Sequence, residues 1–396
     1  MLSSAVSIWT LHSFSKSACI WCNVAQGNLQ DAKKSFPQLH VGTKLSLYKD
    51  NSRHLGLVRQ VYRRHTCTFP FHVWHPEQST EEDSTQVRKT LATMSSLPFT
   101  KVISWDEYMT HRPPYPSSMW NLWLNYHQGP LDSIHDVGAG GGVASHDLAT
   151  RTDAKRIYLS DPGKEHLEFA ERMLRERHPN VDFTFNNTVA EDPWLDNGSI
   201  DLVCCCEALH WVDMSKGMPV MANSLRPGGT FAAIFYLPFP EIRNSKRAQD
   251  AQTRLLDDYG NNTPDSMIQH PAWRLGFSQS NSGLDCVPFD SELWGDVRRI
   301  EINIDERGFP ASASIAKRFG EAPSQVGDCV KERWEDAEWK RTASAEELRQ
   351  ILQKFLGAPD ETWQCEDWKE VVQGAEEAGG QLELAFQASM VLARRK

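Results

Sequence analysis

The sequence predicts an α/β fold: a mostly parallel sheet of seven strands with helices on both faces, a lid inserted after strand five, and an irregular N-terminal extension. Three observations predict it. From Leu131 onward, short apolar runs alternate with amphipathic segments, the rhythm of strands buried on both sides and covered by helices. The first of these runs ends in Asp136-Val137-Gly138-Ala139-Gly140-Gly141-Gly142, a glycine-dense turn between strand and helix. A chain of 396 residues with 40% hydrophobic content is long enough for one large core and an appendage.

Residues 1–93 show no sustained period of either kind and end in a polar run from Pro76 to Ser84, so irregular structure is expected there. Their first 30 residues are Ser-rich with Lys16 as the one lysine and no arginine, a weak match to a targeting segment; Met94 opens a stretch that reads as a start of its own. The core is expected over 94–240. Its strands are placed at 131–137, 156–160, 181–188, 200–206 and 230–237, with helices at 144–150, 164–177 and 215–225. Arg226-Pro227-Gly228-Gly229 stops the last helix. Beyond Pro240 the rhythm breaks into a Trp-, Pro- and Asp-rich segment, 241–340, expected as the lid, with one further strand at 297–304. Residues 341–396 complete the core with a helix at 345–356, opened by the capping box Ser344-Ala345-Glu346-Glu347, and a strand at 382–393.

Charge and cysteine usage narrow the classes of function. The first 93 residues carry 11 Lys and Arg against 6 Asp and Glu, while the whole chain is −10, so the remainder is strongly acidic. An acidic body is a poor match for phosphate backbones, and a small-molecule partner rather than nucleic acid is expected. No run of eighteen apolar residues occurs, so no membrane span is expected. Nine cysteines do not make a disulfide framework in a chain this long, and Cys204-Cys205-Cys206 reads as part of a buried strand; a reducing, cytoplasmic setting is the expectation. Cys19 and Cys22 form one CxxC with no second pair at zinc spacing, and no metal is expected. Oligomeric state is not legible.

The chemistry centres on the glycine turn. Gly138, Gly140 and Gly142 let the backbone pass close to a ligand, and the following helix offers its N-terminal amides. A dinucleotide fingerprint, Gly-x-Gly-x-x-Gly, would need a third glycine where Val143 stands, so the register argues against a nicotinamide or flavin dinucleotide. Asp161, at the tip of the second strand, is placed to accept two ribose hydroxyls; the competing reading is that Asp161-Pro162-Gly163 is a turn and helix cap. Ala190-Glu191-Asp192 after the third strand can present an amide and a carboxylate to an adenine edge. The fourth strand ends in Glu207-Ala208-Leu209-His210-Trp211, and Leu225 to Gly229 precedes the fifth.

Four such signals in this order resemble class I S-adenosylmethionine-dependent methyltransferases, and the run from Trp105 to about Leu237 is similar to the trans-aconitate methyltransferase-like group of fungal and bacterial enzymes. Tyr108-x3-Arg112-Pro113-Pro114-Tyr115-Pro116, Glu207-Ala208-Leu209-His210-Trp211 and Val391-Leu392-Ala393-Arg394-Arg395 carry the resemblance. It implies a Rossmann-like sheet, S-adenosyl-L-methionine as cofactor and a small-molecule methyl acceptor. By resemblance Tyr108 and Arg112 belong near the cofactor's sulfonium and carboxylate, with Asp136, Gly138, Ala139, Gly140, Asp161, Ala190, Glu191 and Glu207 completing the cofactor site. Thr110 and His111 stand between Tyr108 and Arg112, where the family more often has Tyr directly before Arg-Pro. Tyr115 and Trp211 are expected on the acceptor side, with further contacts from the Trp-rich segment containing Trp273, Trp294 and Trp334. If the acceptor is a hydroxyl, His210 is the candidate base; the competing reading is a packing histidine. Asn/Asp-Pro-Pro-Tyr/Phe, frequent in amide and base N-methylation, is absent after the fourth strand, so O- or C-methylation of a small molecule is expected. A non-catalytic binding module on the same fold is the rival outside enzymology.

Overall fold

The computed structural model describes Trp105 and residues 112–396 apart from 305–307, 310, 311, 357 and 359. All of these fall within one compact unit, Gln78–Lys396. The expected extension 1–93 and the candidate Tyr108 lie outside the described residues.

Apolar runs bounded by turns become the strands of one sheet. After helix α1 (Ser117–Tyr126) come β1 (Ser133–Val137), α2 (Val143–Arg151), β2 (Arg156–Ser160), α3 (Lys164–Arg177), β3 (Asp182–Asn186), β4 (Ile200–Cys206), a 3-10 turn (Leu209–Trp211), α4 (Met214–Ser224) and β5 (Leu225–Tyr236). β2, β4 and α3 occupy the ranges the sequence predicts. In α3, Leu167, Ala170, Met173 and Leu174 are buried at the three- and four-residue spacing of one helix face, with charged residues on the other. The Arg226-Pro227-Gly228-Gly229 stretch does not stand outside the sheet: β5 begins at Leu225 and its pairing with β4 shifts register after Ile200.

Among the described residues β7 (Trp294–Ile302), β8 (Lys331–Trp334) and β11 (Ala388–Arg395) join these five in a main sheet of eight strands, in the order β3-β2-β1-β4-β5-β11-β7-β8, one more than the seven expected. β11 (Ala388–Arg395) runs antiparallel between β5 and β7 (Trp294–Ile302), and all other pairings are parallel. The added strand is β8 (Lys331–Trp334) at the edge, beside β7. The segment after Pro240 thus places two strands in the main sheet, as well as helices α5 (Lys246–Asn262), α6 (Asp265–Gln269), α7 (Pro271–Asn281) and α8 (Ala313–Phe319). The single strand expected at 382–393 is two: β10 (Leu382–Ala385) leaves the main sheet and pairs antiparallel with β6 (Glu241–Ile242) and β9 (Lys340–Ala343).

Strand alternation sorts the core onto the two faces of the main sheet. Leu202, Cys204 and Cys206 of β4 and Ala232, Ile234 and Tyr236 of β5 pack with α1, α2 and α3 on one face. Val203 and Cys205, with Phe231, Ala233 and Phe235, pack with α4 and Trp294 on the other. A third cluster joins the small sheet to α5, α9 (Ala345–Leu356) and α10 (Glu366–Glu377). The capping box of α9 forms as expected: the Ser344 amide donates to Glu347 Oε2 at 2.7 Å and the Glu347 amide to Ser344 Oγ at 3.2 Å.

Candidate active site

β1 and β4 lie side by side, and β1 connects outward to β2 while β4 connects outward to β5, so the order of strands reverses between them. At such a point the loops leaving the carboxyl ends of adjacent strands part in opposite directions and open a crevice. A cavity of about 540 Å³ lies there, lined by the glycine turn, the ends of β2, β4 and β5, the loop after β3, and residues ahead of α1.

The glycine turn is closed by local bonds, and its neighbours approach its backbone closely. Gly138 and Ala139 both donate to the Ser160 carbonyl of β2, at 2.8 and 3.1 Å. Gly138, with φ 67°, leaves no room for a side chain: a Cβ there would stand 2.3 Å from Ala208 Cβ. Gly140, with φ 54°, lies under the Trp105 indole, 2.6 Å from where a Cβ would be.

Asp136 ends β1 almost wholly buried, at 1% exposure. Its Oδ2 accepts from Ser145 Oγ at 2.7 Å, while Oδ1 is buried with no hydrogen-bond partner among the described residues. Loss of solvent pushes its carboxyl up to about 6, against the Ser145 bond. A buried acceptor without a donor on a cavity wall is costly in isolation and suits a ligand that supplies one. Asp161 serves both of its sequence readings at once. Its Oδ2 accepts from the Gly140 amide at 2.9 Å, and its Oδ1 accepts from the Gly163 amide at 2.7 Å ahead of α3. Oδ1 also faces His166 Nδ1 at 3.4 Å, and Oδ2 retains a second lone pair for a hydroxyl donor. Ala190 and Glu191 line the cavity, with Glu191 Oε1 accepting from the Asp213 amide at 2.7 Å. Burial raises the Glu191 carboxyl above its ordinary range.

At the β4 and β5 side the polar groups are of a different kind. Glu207 has φ 58°, and its amide donates to the Ile234 carbonyl at 3.0 Å. Its Oε1 accepts from the Tyr236 amide at 2.5 Å, and its Oε2 stands 3.5 Å from Arg112 Nη1. Arg112 also donates to the Tyr236 hydroxyl at 3.2 Å, and its guanidinium lies over the rings of Phe355, 4.5 Å away, and Tyr236, 5.6 Å away. Burial pushes Glu207 up to about 7, with Arg112 pulling the other way. Tyr115 meets the Tyr236 ring edge-on at 6.4 Å. Trp211 lines the cavity above Gly276 of α7, where a Cβ would touch its ring at 2.3 Å, and meets Trp273 edge-on at 5.5 Å.

The structure thus brings Arg112, Tyr115, Asp136, Gly138, Ala139, Gly140, Asp161, Ala190, Glu191, Glu207 and Trp211 to one cavity. It does not bring His210 there. That ring is buried against Phe235 at 4.9 Å and Trp211 at 5.0 Å, and loss of solvent holds it neutral, down to about 3. Of the three tryptophans expected to serve the acceptor, Trp273 adjoins the cavity through Trp211. Trp294 is core beside Phe231 and Phe289, and Trp334 is on the edge strand β8. Trp105, Asp147, His166 and Tyr236 also line the cavity and were not singled out in the sequence. Tyr236 had the clearest signal, as the last inward residue of an apolar strand at the crevice.

A parallel sheet with a glycine-lined turn at its switch point and carboxylates at the next strand ends defines a nucleotide-type cofactor enzyme. The family model described as a methyltransferase domain matches residues 134–229. Among curated relatives, methyltransferase pgmE of Aspergillus terreus is 30% identical over 273 residues, covering 64% of this chain and 79% of that protein. Methyltransferase AacuQ of Aspergillus aculeatus is 27% identical over 308 residues, covering 74% and 93%. The crystal structure of YcgJ from Bacillus subtilis superposes with a TM-score of 0.36 at 14% identity, over 70% of this chain and 98% of that one. The chain belongs to the class I S-adenosylmethionine-dependent methyltransferases. The trans-aconitate-like subgroup stays a resemblance of motifs.

The cavity fits that cofactor on its own evidence. It is of ordinary ligand size, its turn has no side chains at the point of closest approach, and Asp136 Oδ1 awaits a donor. When bound, S-adenosylmethionine supplies an electrophilic methyl group on a sulfonium. Among the described residues no group of three or more His, Cys, Asp or Glu is arranged to hold a metal, and no helix is long and apolar enough to cross a membrane.

Proposed function

We propose that this methyltransferase acts on a small molecule and methylates a hydroxyl or carboxylate oxygen. The observation that carries the reading is the division of one cavity into two walls. On the β1–β2 side Asp136, the close backbone of Gly138 to Gly140, Asp161 and the Ala190–Glu191 loop offer acceptors and room for an amine, ribose hydroxyls and an adenine edge. On the β4–β5 side Arg112, Glu207, Tyr115, Tyr236 and Trp211 offer charge and aromatic surface to an acidic or hydroxylated molecule. A cavity of about 540 Å³ in a chain of net charge −10 suits a compact acceptor better than a nucleic acid. The absence of Asn/Asp-Pro-Pro-Tyr/Phe after β4 favours oxygen over amide nitrogen.

The chain's part is to align the partners and keep water out, since the cofactor provides the leaving group. Arg112 would pair with an acceptor carboxylate, and the faces of Tyr115 and Trp211 would hold an apolar or aromatic body. The test has two arms. Calorimetry should show binding of S-adenosylmethionine and none of NAD or NADP. Incubation with labelled S-adenosylmethionine and a panel of small acids and phenols should give a product heavier by one methyl that releases methanol on ester hydrolysis or resists it as an ether. A methyl group recovered on carbon, or only on added nucleic acid or protein, would overturn the reading.

A further inference from the structure

Among the acids lining the cavity, Glu207 is held in a manner the others are not. Both oxygens of Asp161 are engaged by the amides of Gly140 and Gly163, Glu191 caps the Asp213 amide, and Asp147 takes the Trp120 indole N–H at 3.2 Å. Asp136 faces the glycine turn, on the wall of the cofactor. Glu207 sits across the cavity at the end of β4 in left-handed backbone, a conformation a long side chain seldom adopts and one that collects at working sites. The conformation is fixed from outside: the Glu207 amide bonds to Ile234, and its Oε1 is tied to the Tyr236 amide. Oε2 accepts from Arg112 Nη1 at 3.5 Å, a long ion pair that leaves this oxygen a second lone pair, while Arg112 is itself held against the Phe355 and Tyr236 rings. One carboxylate oxygen is thereby set in an aromatic-walled part of the cavity, with a cation behind it.

We propose that Glu207 is the proton acceptor for a methyl-accepting hydroxyl, positioned by the backbone turn after β4, the Tyr236 amide and Arg112. This rests on the O-methylation reading above. The acceptor's O–H proton passes to Glu207 Oε2 as the acceptor oxygen bonds to the methyl carbon; the carbon–sulfur bond breaks, its electron pair stays on sulfur, and Glu207 then gives the proton to water. The charged and titratable groups set against Glu207 are Arg112 from ahead of α1, Tyr236 of β5 and Cys205 of the preceding strand. Burial sets the carboxyl near neutrality, up to about 7. His210 is poorly suited to this part, since it lies off the cavity lining and burial, lowering it to about 3, makes its ring a weak base. By resemblance Glu207 would contact the cofactor; under this proposal it contacts the acceptor.

The experiment compares wild type, Glu207→Gln and Glu207→Asp in two measurements: calorimetric affinity for S-adenosylhomocysteine, and methylation of phenol, catechol, salicylate and lactate across pH. Expected are S-adenosylhomocysteine affinities within about threefold of one another, a turnover in Glu207→Gln reduced about 100-fold or more, and partial recovery in Glu207→Asp. The wild-type rate should rise with pH through a limb near 7 that Glu207→Gln lacks. Turnover unchanged in Glu207→Gln, or lost in proportion to S-adenosylhomocysteine affinity, overturns the proposal. So does binding of S-adenosylhomocysteine by a wild type that methylates none of the four hydroxyl probes. Failure of wild type to bind S-adenosylhomocysteine sinks the methyl-transfer reading itself, which separates the two.

Discussion

Replacing Asp161 by Ala is expected to cost stability as well as cofactor affinity, because its carboxylate closes two turns from inside the protein. Oδ2 takes the Gly140 amide at 2.9 Å and Oδ1 the Gly163 amide at 2.7 Å, in a residue only 6% exposed. A hydrogen bond to an ionised group contributes about 1.5–3 kcal/mol, so two amount to roughly 3–6 kcal/mol. Water entering the vacated space and relaxation of the Gly140 turn return part of that, leaving about 2–4 kcal/mol in Asp161→Ala. Asp161→Asn keeps one carbonyl acceptor but turns an amide N–H₂ toward the other donor, so about half the loss is expected. Urea unfolding followed by tryptophan fluorescence reads the difference as a shift in midpoint at constant slope. Calorimetry with S-adenosylmethionine should show both variants weakened, by about 1–3 kcal/mol beyond any unfolding, through loss of the charged acceptor for the ribose. An Asp161→Ala midpoint equal to wild type would refute the two internal bonds, and unchanged affinity in both variants would refute the placement of the ribose.

Three further outcomes are expected. Gly138→Ala puts a Cβ 2.3 Å from Ala208 Cβ at φ 67°, where left-handed backbone alone costs about 1–2 kcal/mol; S-adenosylmethionine affinity should fall at least tenfold by calorimetry. Gly276→Ala places a Cβ 2.3 Å from the Trp211 ring and should raise the acceptor's KM several-fold while leaving S-adenosylmethionine affinity within about twofold, a split that steady-state kinetics reads. The third outcome concerns pH. Asp136, raised from 3.8 to about 6, binds more protons folded than unfolded, so its contribution is present at low pH and is lost as pH rises toward 6. His135 and His210, lowered from 6.5 to about 3, do the opposite and lose stability as pH falls below 6.5. At about 1.4 kcal/mol per unit the two histidine slopes outweigh that of Asp136 alone, and Glu207, raised from 4.5 to about 7, adds a second slope of the Asp136 sign, so the four largely cancel between about pH 4.5 and 6 in wild type. Asp136→Asn removes one of the two opposing slopes, so its urea midpoint should climb with pH between about 4 and 6 more steeply than that of wild type, and parallel curves there would refute the assignment.

What the sequence disclosed and what it hid follow from whether the deciding interactions are local. The glycine turn, β2, β4, α3 and the α9 cap rest on residues within a few positions of one another, and all were legible. The break between β10 and β11 was not, because Phe386-Gln387 contains neither glycine nor proline and the two halves part only to meet different partners, β6 and β9 for one and β5 and β7 for the other. β8, Lys331-Glu332-Arg333-Trp334, has no apolar period at all; as an edge strand beside β7 it is held by pairings such as Arg298 to Glu332, at 2.7 Å. His210 shows the limit at the site. Its place after β4 was correct in the chain, but the 3-10 turn carries the ring into Phe235, and only packing across to β5 reveals that.

The same distinction explains why the glycine turn announced a cofactor and left the acceptor unnamed. The cofactor wall is built from consecutive residues, with 136–140 in one turn and Asp161 one strand later, so its spacing is a property of the chain. The wall proposed for the acceptor is assembled from Arg112 and Tyr115 ahead of α1, Glu207 and Trp211 after β4 and Tyr236 on β5, with Gly276 of α7 behind Trp211 and Phe355 of α9 beside Arg112, which no spacing connects. Substitutions on these remote elements can therefore change the acceptor without disturbing the turn. Gly276→Ala is the direct trial of that separation: a proportionate loss of S-adenosylmethionine affinity would mean that the two walls are one unit, and retained affinity with a changed acceptor KM would mean that they are two.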